Sequence, residues 1–175
     1  LDEMAVTSHE RAAAATAAGL FTEEIVAVGD FNADQGIRPG SNVEKLATLP
    51  TPFKEGGVVS AGNASQISDG AAALLVTTSE KAAELGLTPI ARFHTGAVAG
   101  SDPIMMLTGP IPATEMVLKR AGLTIDDIGA FEVNEAFASV VGAWLAETGA
   151  DPMITNPNGG AMAIGHPLGA SGARL

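Results

Sequence analysis

The sequence predicts an α/β domain, on three observations. Alanine-rich and amphipathic helical stretches alternate with short apolar runs, glycines and prolines punctuate them, and 46% of the 175 residues are hydrophobic, enough for a core. Asp2–Ala18 is rich in Ala with Glu, Arg and Met and meets Gly19, so a helix closed by a left-handed glycine is expected. Glu24–Val28 is a short strand candidate, and Gly29–Pro39 collects the Gly, Asn, Asp and Pro of a loop. Ser41–Gly57 is mixed, and Pro50 and Pro52 exclude a long helix, which leaves a covering loop. Ser68–Val76 is apolar on both alternating faces in its second half, as a buried strand is. Ser79 caps a short helix through Leu85 that stops at Gly86, and Ile90–His94 begins another strand. Pro112 opens a helix through Ala121, Gly122 stops it, and Thr124 stands at capping-box distance from Asp127. Ala130–Val133 reads as a strand. Asn134 reads as the N-cap of a helix that lines up Phe137, Val140, Val141, Trp144 and Leu145 and ends at Gly149. Asn156–Gly172 is a glycine-rich loop running into a further helix at Ala173.

Charge and composition narrow the function. Nine Lys and Arg stand against 20 Asp and Glu, a net −11, and the basic residues are spread along the chain rather than clustered on a phosphate-binding face. That argues against nucleic acid and an anionic membrane as partners. With no cysteine, this segment supplies neither a disulfide, a zinc thiolate nor a thiol nucleophile. No apolar run approaches ~20 residues and the first residues are acidic, so a cytosolic or matrix location is expected: cytoplasmic, or mitochondrial or peroxisomal in a eukaryote. A first residue that is Leu1 and a last, Leu175, that follows an unfinished amphipathic start give the expectation of a fragment.

Several signatures fail. Asp30–Asp34 imitates the start of an EF-hand loop, but Gly36 falls one place late and Ser41 holds the twelfth position, so a solvated turn is the better reading. His9-Glu10 begins a zinc-protease pattern whose second histidine is replaced by Ala13, leaving a solvent-facing histidine on an Ala-rich helix. Gly160 and Gly165 have Walker spacing, with His166-Pro167 where Lys and Ser/Thr should stand. Gly169-Ala170-Ser171-Gly172 lacks the spacing of a nucleophile elbow.

Two segments carry polar groups that packing does not demand. Asn134-Glu135-Ala136-Phe137 lies at a strand-to-helix junction, where Asn134 is either an N-cap or a functional amide. In Asn156–Gly172 the glycines permit close backbone approach and positive φ, and His166 sits between Gly165 and Pro167, either structural or catalytic.

These segments, with Thr108-Gly109-Pro110-Ile111-Pro112-Ala113-Thr114, Gly62-Asn63-Ala64-Ser65 and Asp69–Ala73, resemble the thiolases, acetyl-CoA acetyltransferases and 3-ketoacyl-CoA thiolases, in the family's order. The resemblance implies an incomplete thiolase-like layered αβαβα fold. Residues 1–66 would be part of the loop region covering the coenzyme A site, 67–88 the end of the N-terminal half, and 89–175 a truncated C-terminal half. It implies acyl transfer between coenzyme A thioesters in fatty acid and lipid metabolism, by thiolytic cleavage of 3-ketoacyl-CoA or condensation of acetyl-CoA. No permanently bound cofactor is implied; CoA and acyl-CoA are the substrates, and the complete protein would be a dimer or tetramer. His166 would accept the proton of a nucleophilic cysteine, and His166 with a water held by Asn134 would form an oxyanion site. Both family cysteines would lie outside this segment, so the isolated chain is expected to be inactive. For coenzyme A, Ser65 and Ala61 would meet the pantetheine arm, Phe53, Met106, Ala136 and Phe137 would wall it, and Arg38 would reach a phosphate. Arg38, Lys45 and Lys54 would offset the net negative charge near the mouth. The competing function is a non-catalytic acyl-CoA-binding or scaffold module of the same family, which the missing cysteines favour.

Overall fold

Helix α1 (Asp2–Ala17) gathers the other elements. Its buried positions Ala5, Ser8, His9, Ala12 and Ala15 recur at helical spacing, and the alanines keep that stripe thin enough for neighbouring backbone to approach closely. Against it pack α2 (Val43–Leu46), α5 (Ala138–Thr148) and α6 (Ala161–Ile164). Gly159 at φ +80 marks the closest approach: a Cβ there would stand 2.7 Å from Ala12 Cβ and 2.5 Å from Ser8 O. The computed structural model describes all residues, Leu1–Leu175.

The larger core lies between α4 (Pro110–Ala121) and α5. Val133, Val141, Trp144 and Ala150 are buried there, flanked by Met4, Ile111, Ile125, Phe131 and Leu145. Trp144, 2% exposed, meets Phe131 edge-on at 5.1 Å, and its indole N–H donates to Thr114 Oγ1 at 2.9 Å. An apolar side chain of this size stabilises by about 2–3 kcal/mol when fully buried. Smaller clusters join Ala5, Ala138 and Met162, and Ala12, Ala163 and Ile164. They seat the loop around α6 on α1.

Helix boundaries follow capping chemistry. Gly19, Gly86, Gly122 and Gly149 all take positive φ at helix ends, as read from the sequence. α3 (Ser79–Glu84) is capped by Thr78, whose side chain accepts from Lys81 N–H, one place before the expected Ser79. α4 starts at Pro110, two residues ahead of Pro112. Thr124 and Asp127 form the capping box, around the 3-10 turn Ile125–Asp127. α5 begins later than expected, with extended Phe137 as its N-cap, so Asn134 does not cap it. The segment expected to be only a covering loop contains α2, where Asn42 Oδ1 accepts from Lys45 N–H at 2.8 Å. The last helix, α7 (Ser171–Arg174), includes Ala173.

The expected strands are the main departure. Ala71–Val76 and Ile90–His94 form no ladder, and Leu74, Leu75, Val76, Ile90 and Phe93 are exposed. A strand exists only through the partner that takes its N–H and C=O groups, and an apolar run without one inside the chain has nothing to pair with. What remains of sheet is isolated pairing: Ala64 with Phe137 antiparallel, Phe131 with Thr155 parallel, and Val28 with Phe31. Glu24–Val28 and Ala130–Val133 therefore contribute single bridging residues, not strands.

Two polar residues expected to face solvent are held inside. His9 is 5% exposed, and its Nδ1 accepts the Arg38 backbone N–H at 3.2 Å. Asp34, read as part of a solvated turn, accepts both Arg174 guanidinium nitrogens at 2.6 Å, and that guanidinium lies 5.4 Å from the Phe21 ring centre. A fork-to-fork pair of this kind ties the Asp34 loop to α7.

Burial, and secondarily the Arg38 charge, lowers the His9 pKa. The unfolded chain then binds a proton that the folded chain refuses. His9 therefore favours folding fully above about pH 6.5 and progressively less as the pH falls through its folded value. The melting temperature should fall on acidification from about pH 7 towards pH 5, and His9→Asn, which keeps an acceptor but does not titrate, should flatten that slope. An identical slope in the variant would remove His9 from the account. The exposed apolar segments should also give concentration-dependent association in light scattering, reduced by Leu75→Lys with Val76→Glu.

Candidate active site

Backbone alternation sets out the first half of the site. Along 133–135, successive side chains face opposite ways, as on extended backbone. Val133 and Glu135 are buried, and Asn134 between them is exposed. Asn156, one of two non-glycine residues at positive φ, holds this segment from behind. Its Oδ1 accepts from Val133 N–H at 2.7 Å, and its Nδ2 donates to Val133 O at 2.8 Å and Glu135 Oε1 at 3.0 Å.

The Glu135 side chain, 5% exposed, carries the connection across. Its Oε2 accepts from Ser8 Oγ at 2.7 Å and from Met162 N–H at 3.1 Å, while Ser8 Oγ accepts from Gly160 N–H at 3.1 Å. A Cβ on Gly160 would stand 2.5 Å from Glu135 Cδ, so only glycine fits there. No buried side-chain polar atom of the chain lacks a partner.

The second half is the turn bearing His166. Gln66 anchors it: the Gln66 amide donates to Gly36 O, Met162 O and Ala163 O at 2.9, 2.8 and 3.2 Å, and Gln66 O accepts from His166 N–H at 3.0 Å. Gly165, at φ +83, lets the chain reverse; a Cβ there would fall 2.0 Å from Ser68 Oγ. After His166 the carbonyl of Pro167 accepts from Ala170 N–H at 3.0 Å and Ser171 N–H at 3.3 Å.

Thus Asn134 Nδ2 and His166 Nε2, 32 positions apart in sequence, come within 3.4 Å, and Ser171 Oγ lies 2.8 Å from His166 Nδ1 on the far side of the ring. An amide and an imidazole converging on one small volume can hold a water, move a proton and stabilise a developing oxyanion.

The residues expected around coenzyme A fall into groups. Ser65 N–H donates to Ala136 O at 3.0 Å, and Phe53 meets Phe137 edge-on at 5.8 Å, so Ser65, Phe53, Ala136 and Phe137 adjoin Asn134. Ala61 is exposed on the turn that Asn63 closes by accepting from Ser60 N–H. Arg38 has an exposed side chain and a backbone tied to His9. Met106, 61% exposed at φ +54, makes its backbone bonds within its own loop, to Asp102 and Thr108, and joins none of these groups.

Sequence reasoning did not single out Glu135, Ser8, Gln66, Asn156 or Ser171 as site residues. For Ser8 a signal existed in its place on the alanine stripe of α1, where a polar side chain must find a buried partner.

A thiolase C-terminal domain model matches residues 87–175, and a thiolase N-terminal domain model residues 1–80. The chain is 52% identical to a steroid 3-ketoacyl-CoA thiolase of Mycobacterium tuberculosis, over 100% of this chain and 44% of that protein. It is 48% identical to a 3-ketoacyl-CoA thiolase of Escherichia coli, over 99% and 48% respectively. Among solved structures, human mitochondrial 3-ketoacyl-CoA thiolase in complex with CoA superposes with a TM-score of 0.94 at 42% identity, covering 99% of this chain and 45% of that one. Bacillus anthracis acetyl-CoA acetyltransferase gives 0.92 at 39%, covering 99% and 46%. The fold is thus the α/β thiolase fold, and the chain belongs to the thiolase family. It spans less than half the length of these relatives.

Glu135→Ala would leave the Ser8 hydroxyl, the Asn156 amide and the Met162 N–H short of an acceptor, so it should destabilise by about 3 kcal/mol or more in urea unfolding. Glu135→Gln, which still presents one oxygen, should lose less. Equal losses would mean that volume, and not acceptance, is what Glu135 provides.

Proposed function

We propose that the complete protein transfers acyl groups between coenzyme A thioesters, by thiolysis of 3-ketoacyl-CoA or condensation of acetyl-CoA, and that His166 and Asn134 are this segment's part of that chemistry. The observation carrying the reading is the 3.4 Å approach of Asn134 Nδ2 to His166 Nε2 on a frame of buried hydrogen bonds, in a chain of the thiolase family. In the proposed reaction a cysteine sulfur attacks the acyl carbonyl while its proton passes to His166 Nε2. The carbonyl oxygen gains charge, which the resulting imidazolium N–H and a water held by Asn134 stabilise. When the carbonyl re-forms, acetyl-CoA loses its CoA sulfur, which takes up a proton as the thiol, whereas in thiolysis the attacked carbonyl is the 3-keto group, the C2–C3 bond breaks, and C2 takes up a proton to leave as acetyl-CoA. One such donor is typically worth ~3–4 kcal/mol in the transition state. These 175 residues contain no cysteine, so both family cysteines would come from elsewhere in the complete protein and this segment alone would be inactive.

In this reading the pantetheine arm runs past Ser65 and Ala61, with Phe53, Ala136 and Phe137 as walls and Arg38 towards a phosphate, while Met106, apart from them in this segment, would be a wall only in the complete protein. Residues 1–66 cover the site, 67–88 complete the N-terminal half and 89–175 belong to the C-terminal half. A homodimer or homotetramer is proposed for the complete enzyme, in the cytoplasm or, in a eukaryote, a mitochondrion or peroxisome. For this segment itself, no helix is long and apolar enough to cross a membrane.

Joining the segment to the remaining portions of a related thiolase should give cleavage of acetoacetyl-CoA. His166→Ala should then lower kcat by at least ~10²-fold, because the base and an oxyanion donor are lost together. Asn134→Ala should cost less, since it only releases a water, and KM should change little in either variant. A joined enzyme that keeps full kcat after His166→Ala would overturn the proposal.

A further inference from the structure

Ser171 is 7% exposed and opens α7, at the end of a turn built on Pro167. The Pro167 carbonyl accepts the Ala170 and Ser171 N–H groups, which folds the chain back and brings Ser171 Oγ to the Nδ1 edge of the ring, 2.8 Å from His166 Nδ1. The same hydroxyl can donate to Pro167 O, 3.5 Å away. On the opposite side of the ring stands the Asn134 amide nitrogen, 3.4 Å from Nε2. An amide nitrogen only donates, so Nε2 must present its lone pair to it. In a neutral imidazole the proton then sits on Nδ1, where the acceptor is Ser171 Oγ, whose own proton goes to Pro167 O. The four groups form one consistently directed chain, from Asn134 N–H to Nε2 and from Nδ1–H through the Ser171 hydroxyl to the Pro167 carbonyl.

We infer that Ser171 is a positioning residue, holding His166 in the Nδ1–H tautomer so that Nε2 is bare on the side facing Asn134. The tautomer is a property of this segment, whereas its catalytic use rests on the function proposed above. When Nε2 takes a proton, the Nδ1–H bond to Ser171 is already in place, so the ring need neither turn nor exchange its proton first. His9 supplies an internal contrast: its Nδ1 accepts the Arg38 N–H, which puts its proton on Nε2.

Nitrogen NMR of the ring-labelled chain at about pH 8, where an ordinary imidazole is neutral, tests this directly, with signals assigned through His166→Gln. The expected result is a bare Nε2 and a protonated Nδ1 for His166, and the reverse for His9. Ser171→Ala should move His166 towards the Nε2–H form, and Ser171→Thr, which keeps the hydroxyl, should restore the original signature. A protonated Nε2 in the unaltered chain, or a signature unmoved by Ser171→Ala, would overturn the inference. In the joined enzyme Ser171→Ala should lower kcat by about tenfold or more with KM little changed, as expected of a base held in the wrong tautomer, and Thr should recover it. Full kcat in Ser171→Ala would overturn its part in the reaction. Full kcat in His166→Ala would instead overturn the catalytic reading, leaving the tautomer to the spectra.

Discussion

The side chain of Glu135 accepts hydrogen bonds from three separated parts of the chain: the Ser8 hydroxyl of α1, the Asn156 amide, and the Met162 backbone N–H in α6. A carboxyl group this deep is tolerated only because its oxygens are matched, and the matching fixes distances among all three parts at once. Its neighbour Asn134, pointing the other way on the same extended backbone, inherits that fixed position. The exposed amide is therefore as well placed as the buried carboxyl beside it.

The remaining scaffold repeats the arrangement with different atoms. Arg11 of α1 donates to the carbonyls of Thr155, Asn156 and Pro152, so the helix grips the loop leading to the site as well as Glu135. Gln66 occupies the corresponding place beneath His166, satisfying carbonyls of Gly36, Met162 and Ala163 that no helix or sheet takes up. The contacts made by Ser8 and Arg11 join residues more than a hundred positions apart and form only when the chain has closed large loops.

Much of this was legible in the amino-acid order. Helix ends at Gly19, Gly122 and Gly149 followed from glycine's access to positive φ, and the Thr124–Asp127 box from its spacing, because capping is a local interaction. Asn134 and His166 were recognisable through their motifs. The burial of His9 was not, since a histidine on an alanine-rich helix looks the same whether an Arg38 N–H covers it or water does. Ala71–Val76 failed for the opposite reason. Its composition states a preference for burial, while burial depends on a pairing partner that no local pattern supplies.

Gly165 has a consequence for how this segment can change over generations. Every single-base substitution that alters a glycine codon yields a residue with a β-carbon or a stop, and at this position a β-carbon would meet Ser68 Oγ while the backbone stays at φ +83. Changing Ser68 to a smaller residue would relieve the contact but not the backbone, which remains in a region that only glycine enters freely. The residue beside His166 is therefore closed to variation on two independent counts, and a library randomised at Gly165 would consist largely of distorted loops even with Ser68 trimmed to alanine.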